Sequence, residues 1–173
     1  MSHSESRTMA GEWDQWLTEL RSPQASSRRV AAERFALTPQ ASRTGCLALV
    51  DAVIDEDDEV REWISEALEG MGPPDAKDVP CLVQRLGGEN GDRCYWAATL
   101  LGRLGPGASA AVPALASTLI NHLSLPARER AAWALGEIGP DARTALPPLR
   151  EAAGSGTPRL AKLARAAIEH IDR

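Results

Sequence analysis

Rings are scarce in this chain and unevenly chosen: aromatics make up 4 % of 173 residues, and five of the seven are Trp, beside one Tyr and one Phe. A core must therefore come from aliphatic side chains, and each Trp position needs its own reason. Cysteines number three, without paired spacing, which excludes a disulfide framework and suits a reducing compartment. The opening "MSHSESRTMA" lacks the apolar centre of a secretory signal. No run approaches the roughly 18 apolar residues of a membrane span. These absences lead us to expect a cytoplasmic protein with no membrane contact and a polar, disordered tail over residues 1–10. Alternating β-branched runs are missing too, so no sheet is expected.

Catalytic and metal chemistry are equally thin. The three histidines, His3, His122 and His170, are scattered, and neither an i, i+4 His pair nor a CxxC occurs, so no metal site is expected. The acidic run Asp55–Glu59 places Val60 where a calcium loop begun at Asp55 needs glycine, and its position suits the start of a helix. Cys46 and Cys81 fall near core positions. Cys94 stands near a helix amino end, where a thiol pKa can be lowered; inert burial is the competing expectation. No glycine loop follows a strand to hold phosphate. We expect no cofactor and no catalytic residue.

Charge is unevenly placed. Residues 1–86 hold 9 Lys+Arg against 16 Asp+Glu, a net of −7, and residues 87–173 hold 10 against 8, a net of +2. The acidic first half disfavours nonspecific binding to polyanions.

What the chain does have is repetition. "RERAAWALGEIGPDARTALPPL" (Arg128–Leu149) restates "RCYWAATLLGRLGPGASAAVPAL" (Arg93–Leu115) and "REWISEALEGMGPPDAKDVPCL" (Arg61–Leu82). Aligned on Leu68, Leu101 and Leu135 the steps are 33 and then 34 residues, and Gly72-Pro73, Gly105-Pro106 and Gly139-Pro140 fall in register. Such a period is the mark of a solenoid. Within one unit Val60, Ile64, Ala67, Leu68 and Met71 make an apolar stripe of helical period. Asp57 or Asp58 can cap its start, Gly72 can take the left-handed conformation at its end, and Pro73 stops it. Each unit thus reads as two helices. A helices are predicted near 12–21, 40–54, 76–87, 108–122 and 141–153, and B helices near 26–37, 58–71, 92–104, 126–138 and 158–172. Pro80, Pro113 and Pro147 fall early in A helices, which they could kink. Ala31, Ala97 and Ala131 share one column and allow close helix approach.

"VREWISEALEGMG" and "RERAAWALGEIGPDARTALPPL" resemble HEAT repeats, in particular the HEAT-like type of the phycobilisome (bilin) lyases. The resemblance runs over about residues 11–173 and is clearest over 58–153. It implies an all-α, right-handed α-solenoid of about five helix pairs, akin to the armadillo type, in a single array over 11–173, with B helices lining the concave side. It also implies an Arg near the start of each B helix bracing the turn, matched by Arg28, Arg61, Arg93 and Arg128. The fifth unit has Ala161 there, so that ladder should end early. Such arrays serve as scaffolds, enzyme regulators, lyase subunits and occasionally DNA-repair enzymes.

On that geometry three columns of B-helix residues point away from the buried stripe: Arg29, Glu62, Tyr95, Glu129, Lys162; then Glu33, Glu66, Thr99, Trp133, Ala166; then Ala36, Glu69, Gly102, Gly136, Glu169. They carry two positive and six negative side chains, the wrong sign for tracking phosphates. Tyr95 and Trp133, one repeat apart, make an aromatic pair suited to anchoring a ligand, or Trp133 is tucked against a neighbouring B helix. Trp63 and Trp96 share a flanking column and are expected to pack in the core; Trp13 and Trp16, with Leu17 and Leu20, should cap the array. The expectation is a non-enzymatic protein- or peptide-binding scaffold or adaptor whose partner-binding residues are Glu62, Glu66, Tyr95, Trp133 and Glu129. Its partner would carry basic and apolar character. Rival readings are a bilin-lyase-like enzyme or chaperone subunit and a nucleic-acid-binding HEAT-like protein. The oligomeric state stays open.

Overall fold

The structure, a computed structural model, describes residues 3–173, with side chains from Gly11 onward. Every regular element among them is helical, and the chain forms two compact units, Met1–Gly72 and Pro73–Arg173.

Unit 1 contains α1 (His3–Glu19), α2 (Ala25–Ala36), α3 (Pro39–Thr44), α4 (Cys46–Ala52) and α5 (Asp58–Gly70). Helix α1 begins at His3, inside the stretch that composition marked as a tail: its residues are polar, but none forbids helix. The expected 40–54 helix is broken at Gly45. A Cβ there would lie 3.1 Å from Leu17 Cδ2 and 3.1 Å from Phe35 Cε1, so the break lets the backbone lie against the Phe35 ring. Trp16 meets the same ring edge-on, centroids 5.5 Å apart, the cap packing expected of it. Helix α5 starts where its cap dictates, because the Asp57 carboxylate accepts from the Glu59 and Val60 amides, both at 3.1 Å. Its stripe of Val60, Ile64, Ala67 and Leu68 is buried, and it packs on α2 through Ala31, Ala32 and Phe35.

Unit 2 holds three helix pairs: α6 (Val79–Leu86) with α7 (Gly91–Leu104), α8 (Val112–Asn121) with α9 (Leu125–Ile138), and α10 (Leu146–Ala153) with α11 (Pro158–Ile171). The B helices α7, α9 and α11 pack in series, and α6, α8 and α10 form the second layer. Leu100, Leu101, Leu115, Leu119, Leu135, Ile138 and Leu149 fill the space between them and are fully buried. This two-layer stack is the α-solenoid arrangement that the period foretold.

B-helix limits fall within a residue of expectation, whereas the A helices of unit 2 begin later than expected. Short 3-10 turns, Ala76–Asp78, Gly105–Ala111 and Gly139–Ala145, precede α6, α8 and α10. Pro80, Pro113 and Pro147 occupy the second position of those α-helices, where a missing N–H leaves no bond unmade. The prolines therefore mark a 3-10 to α junction. Gly105 and Gly139 have φ of 61° and 73° with ψ of −135° and −141°, a mirror-extended backbone that only glycine enters easily. Gly72 does not share it: the described residues with positive φ are Gly105 and Gly139. The expected left-handed Gly72 is thus corrected; its helix ends at Met71 in extended conformation (ψ 142°).

Three of the four expected arginine braces are seen. Arg28 Nη1 donates to the Ser22 carbonyl (3.0 Å), Arg61 Nη1 to that of Asp55 (2.6 Å) and Arg128 Nε to that of Leu119 (2.8 Å). In the last pair Ala161 is buried, and Arg165, one turn on, donates to the Ala153 carbonyl at 3.0 Å. The brace shifts by a turn instead of ending.

Candidate interaction surface

The five expected contact residues divide between the units. In unit 1 Glu62, Glu66 and Glu69 are exposed on α5, three acids on one side of a helix whose other side is core. Arg29, which shares the column of Glu62, is drawn into an ion pair with Asp57 (Nε to Oδ1 2.9 Å) and another with Glu59 (2.8 Å). Arg29 holds the Asp57 carboxyl down to about 2. Beside it Arg28 grips Asp55 with two bonds of 2.7 and 2.9 Å, both side chains mostly buried.

In unit 2 Tyr95, Glu129 and Trp133 do come together, though differently from the expected wall. Tyr95 projects from α7 and Trp133 from α9, both half-buried. Between them lies Arg130, its guanidinium carbon 4.6 Å from the Tyr95 ring centre and 5.1 Å from that of Trp133. Arg130 also donates from Nη2 to the Tyr95 hydroxyl. Two aromatic faces thus stack on one cation, each contact worth about 0.5–1 kcal/mol at partly exposed sites. Glu129 is buried (8 % exposed), and Arg159 of α11 pairs with it at 3.2 Å. Expecting Glu129 on an open acidic wall was wrong, because α11 packs beside α9 and covers it. Tyr95, Pro126, Glu129, Arg130, Trp133, Arg159 and Leu163 enclose a cleft of about 220 Å³.

Other members of the expected columns are interior as well. Thr99 is buried and back-bonds to the Tyr95 carbonyl at 2.8 Å. Gly102 and Gly136 are buried contact points. A Cβ on Gly102 would sit 2.4 Å from Trp133 Cζ3 and 3.0 Å from Ala134 Cα, and one on Gly136 3.0 Å from Ala167 Cα. Trp133 is therefore a packing residue along one edge, seated over Gly102, and a cleft residue along the other. Of the flanking tryptophans, Trp96 is buried against the Tyr95 ring (5.4 Å, edge-on) and Trp63 is half-buried. Cys94, weighed as a reactive thiol, is fully buried, and desolvation pushes it up to about 11; it is inert at neutral pH.

A larger cleft, about 610 Å³, lies in unit 2 where α6 and α8 end, with Val83, Leu86, Ala114, Ser117 and His122 among its walls. Its imidazole is engaged by the surrounding loops: His122 Nε2 lies 3.2 Å from the Gly88 carbonyl and Nδ1 accepts from the Ser124 amide at 3.0 Å. Size favours this cleft; the converging aromatic and ionic groups favour the smaller one, and specificity comes from such groups.

The geometry is that of an α-helical repeat protein, a stack of short helix pairs with side chains gathered on successive B helices. A sequence profile of HEAT repeats matches residues 79–169, just over half of the chain, and the chain belongs to the HEAT-repeat family. No curated protein matches it. Among solved structures it is similar to an engineered protein at 17 % identity and TM-score 0.63, covering 92 % of this chain and 81 % of that one. It is also similar to a designed armadillo repeat protein in complex with the peptide (KR)4, at 16 % identity and TM-score 0.62, covering 96 % and 84 %. At these identities the likeness is one of fold. No helix among the described residues is long and apolar enough to cross a membrane.

Proposed function

We propose that this protein is a non-enzymatic scaffold or adaptor that holds a protein or peptide on the faces of its B helices. The observation that carries the reading is the unit 2 cleft, where side chains from α7, α9 and α11 converge on one opening. Trp133 and Tyr95 supply apolar contact there, and Glu129 fixes Arg159 at the rim. In unit 1 Glu62 and Glu66 offer carboxylates to basic side chains. The designed armadillo repeat protein that this chain resembles is in complex with (KR)4, and the α5 face has the charge to take such a peptide. The bilin-lyase subtype and its lyase or chaperone-subunit role stand as the rival reading, which an absorbance shift on mixing with a bilin would bring forward.

The test is site-specific photocrosslinking in the native cell, with a photoreactive phenylalanine at Leu163 in the cleft or, separately, at Leu123. Leu123 is 98 % exposed at the larger cleft. The scaffold reading expects a discrete crosslinked partner from position 163; adducts from position 123 alone would move the site, and none from either would end the reading. Independently, fluorescein-labelled (KR)4 should bind at about 50 mM salt and weaken steeply toward about 500 mM, because exposed charge pairs are screened. Reversing Glu62, Glu66 and Glu69 to Lys should abolish that binding with the melting temperature unchanged.

A further inference from the structure

We infer that the Tyr95–Arg130–Trp133 cleft is a carboxylate-selective subsite that takes an acidic side chain of a peptide, flanked by an apolar residue. The inference rests on the scaffold reading and sharpens it, since an aromatic pair alone would suggest a cage for a basic residue. Here that cage is already filled. The guanidinium of Arg130 lies 4.6 and 5.1 Å from the two ring centres, so the aromatic faces an incoming Arg or Lys would stack upon are covered by the protein's own cation.

What the rings leave uncovered is the edge of that guanidinium. Stacking uses its faces, and one Nη2 hydrogen goes to the Tyr95 hydroxyl. The remaining N–H groups lie in the plane, the arrangement that matches a carboxylate fork. Contact with both rings and the bond to the Tyr95 hydroxyl also restrain the guanidinium, so less side-chain freedom is lost on binding. Across the opening stands a second guanidinium, Arg159, whose side chain is 75 % exposed although it touches Glu129. Glu129 is the one carboxylate lining the cleft against two guanidiniums, Arg130 and Arg159, a local excess of one positive charge. Lys162 is exposed one turn beyond Arg159, and Leu163 and Pro126 give the rim its apolar part. Steric room, guanidinium donors not bonded within the protein and the sign of the charge all ask for one carboxylate beside an aliphatic or aromatic group.

Two fluorescein-labelled octapeptides test this on the full-length protein, one alternating Asp and Leu and the other alternating Lys and Leu. The Asp-Leu peptide should bind, with affinity reduced about tenfold in Arg130→Gln, the loss of one charge-assisted pair. The surface variant Arg159→Glu should weaken it by a similar factor with the melting temperature unchanged, which keeps the test valid if Arg130→Gln disturbs packing. Filling the cleft by Leu163→Trp should block the Asp-Leu peptide and leave (KR)4 binding intact. Equal binding of the Asp-Leu peptide by the wild type and Arg159→Glu would overturn the inference. So would preference for the Lys-Leu peptide that Leu163→Trp abolishes, although that result would leave the scaffold reading standing. Absence of crosslinks from both position 163 and position 123, by contrast, would remove the scaffold reading itself.

Discussion

In unit 1 the B helices α2 and α5 are tied at their amino-terminal ends by charge: Arg28 clasps Asp55, and Arg29 clasps the Asp57 that also caps α5. In unit 2 the B helices meet through single charged contacts, Arg159 of α11 on Glu129 of α9 and Arg130 of α9 on Tyr95 of α7. They also meet through what is missing: Trp133 comes within 2.4 Å of where a Cβ on Gly102 would stand, closer than any Cβ allows. The Ala134 and Ala167 Cα atoms come within 3.0 Å of the Gly102 and Gly136 positions, tighter than a Cβ ordinarily meets. The same repeat is thus held by clustered ion pairs in one place and by close backbone approach beside a single ion pair in the other. The surfaces differ in step: residues 1–72 carry a net charge of −7 and residues 73–173 of +2. A charged joint should respond to pH, whereas a glycine joint should respond to volume.

The sharpest break in that comparison should come from Gly136→Leu. Its side chain has to displace the α11 backbone at Ala167, and overpacking of this kind costs about 3 kcal/mol or more. Hydrogen exchange should show α9 and α11 losing protection while α2 and α5 keep theirs. Gly102→Ala is milder, since the Trp133 ring can tilt but the Ala134 Cα cannot; a net loss of about 1 kcal/mol is expected after the helix-propensity gain of Ala over Gly. It should come with a shifted Trp emission that marks the displaced ring. Loss of α2–α5 protection in either variant would show that the joints are not local.

Acid should act the other way round. Arg29 holds the Asp57 carboxyl at about 2, below its ordinary value of 3.8. A lowered carboxyl contributes its stability above the unfolded value and gives it up as pH falls through the folded one. Unit 1 should therefore weaken between about pH 4 and pH 2. Asp57→Asn should remove that part of the acid limb and lower stability at neutral pH, with unit 2 unaffected. An unchanged acid limb in Asp57→Asn would mean that the ion pair carries no weight.

Much of the fold could be read from the chain because its punctuation is local: Leu68, Leu101 and Leu135 set the period, and Asp57 and the Gly-Pro pairs set the ends. The surface was harder. Tyr95 and Trp133 could be found because they fall off the buried stripe of their own helices. Arg130 and Arg159 were missed because their roles depend on a second helix: Arg130 stands one repeat after Trp96, and Arg159 lies one turn ahead of the register that lines up Lys162 with Glu129. Projecting a helix at 100° per residue gives one buried side. The B helices of unit 2 have two, one toward the A layer and one toward the next B helix, so Glu129, Thr99, Gly102 and Gly136 went inside. Glycine in the middle of a good helix, at a cost of about 1 kcal/mol, was the signal that pointed to the second side. In α5 the single-sided projection did hold, and Glu62, Glu66 and Glu69 are exposed where it put them.

The contrast between the units is tested most directly by following backbone amide and Trp indole NMR signals while (KR)4, and separately the Asp-Leu octapeptide, is added to the protein. Amides of α5 around Glu62 and Glu66 should move with (KR)4, and the Trp133 indole with the Asp-Leu peptide, each leaving the other set still. Movement of one common set by both peptides would contradict the division of the surface into an acidic face and a guanidinium-lined cleft.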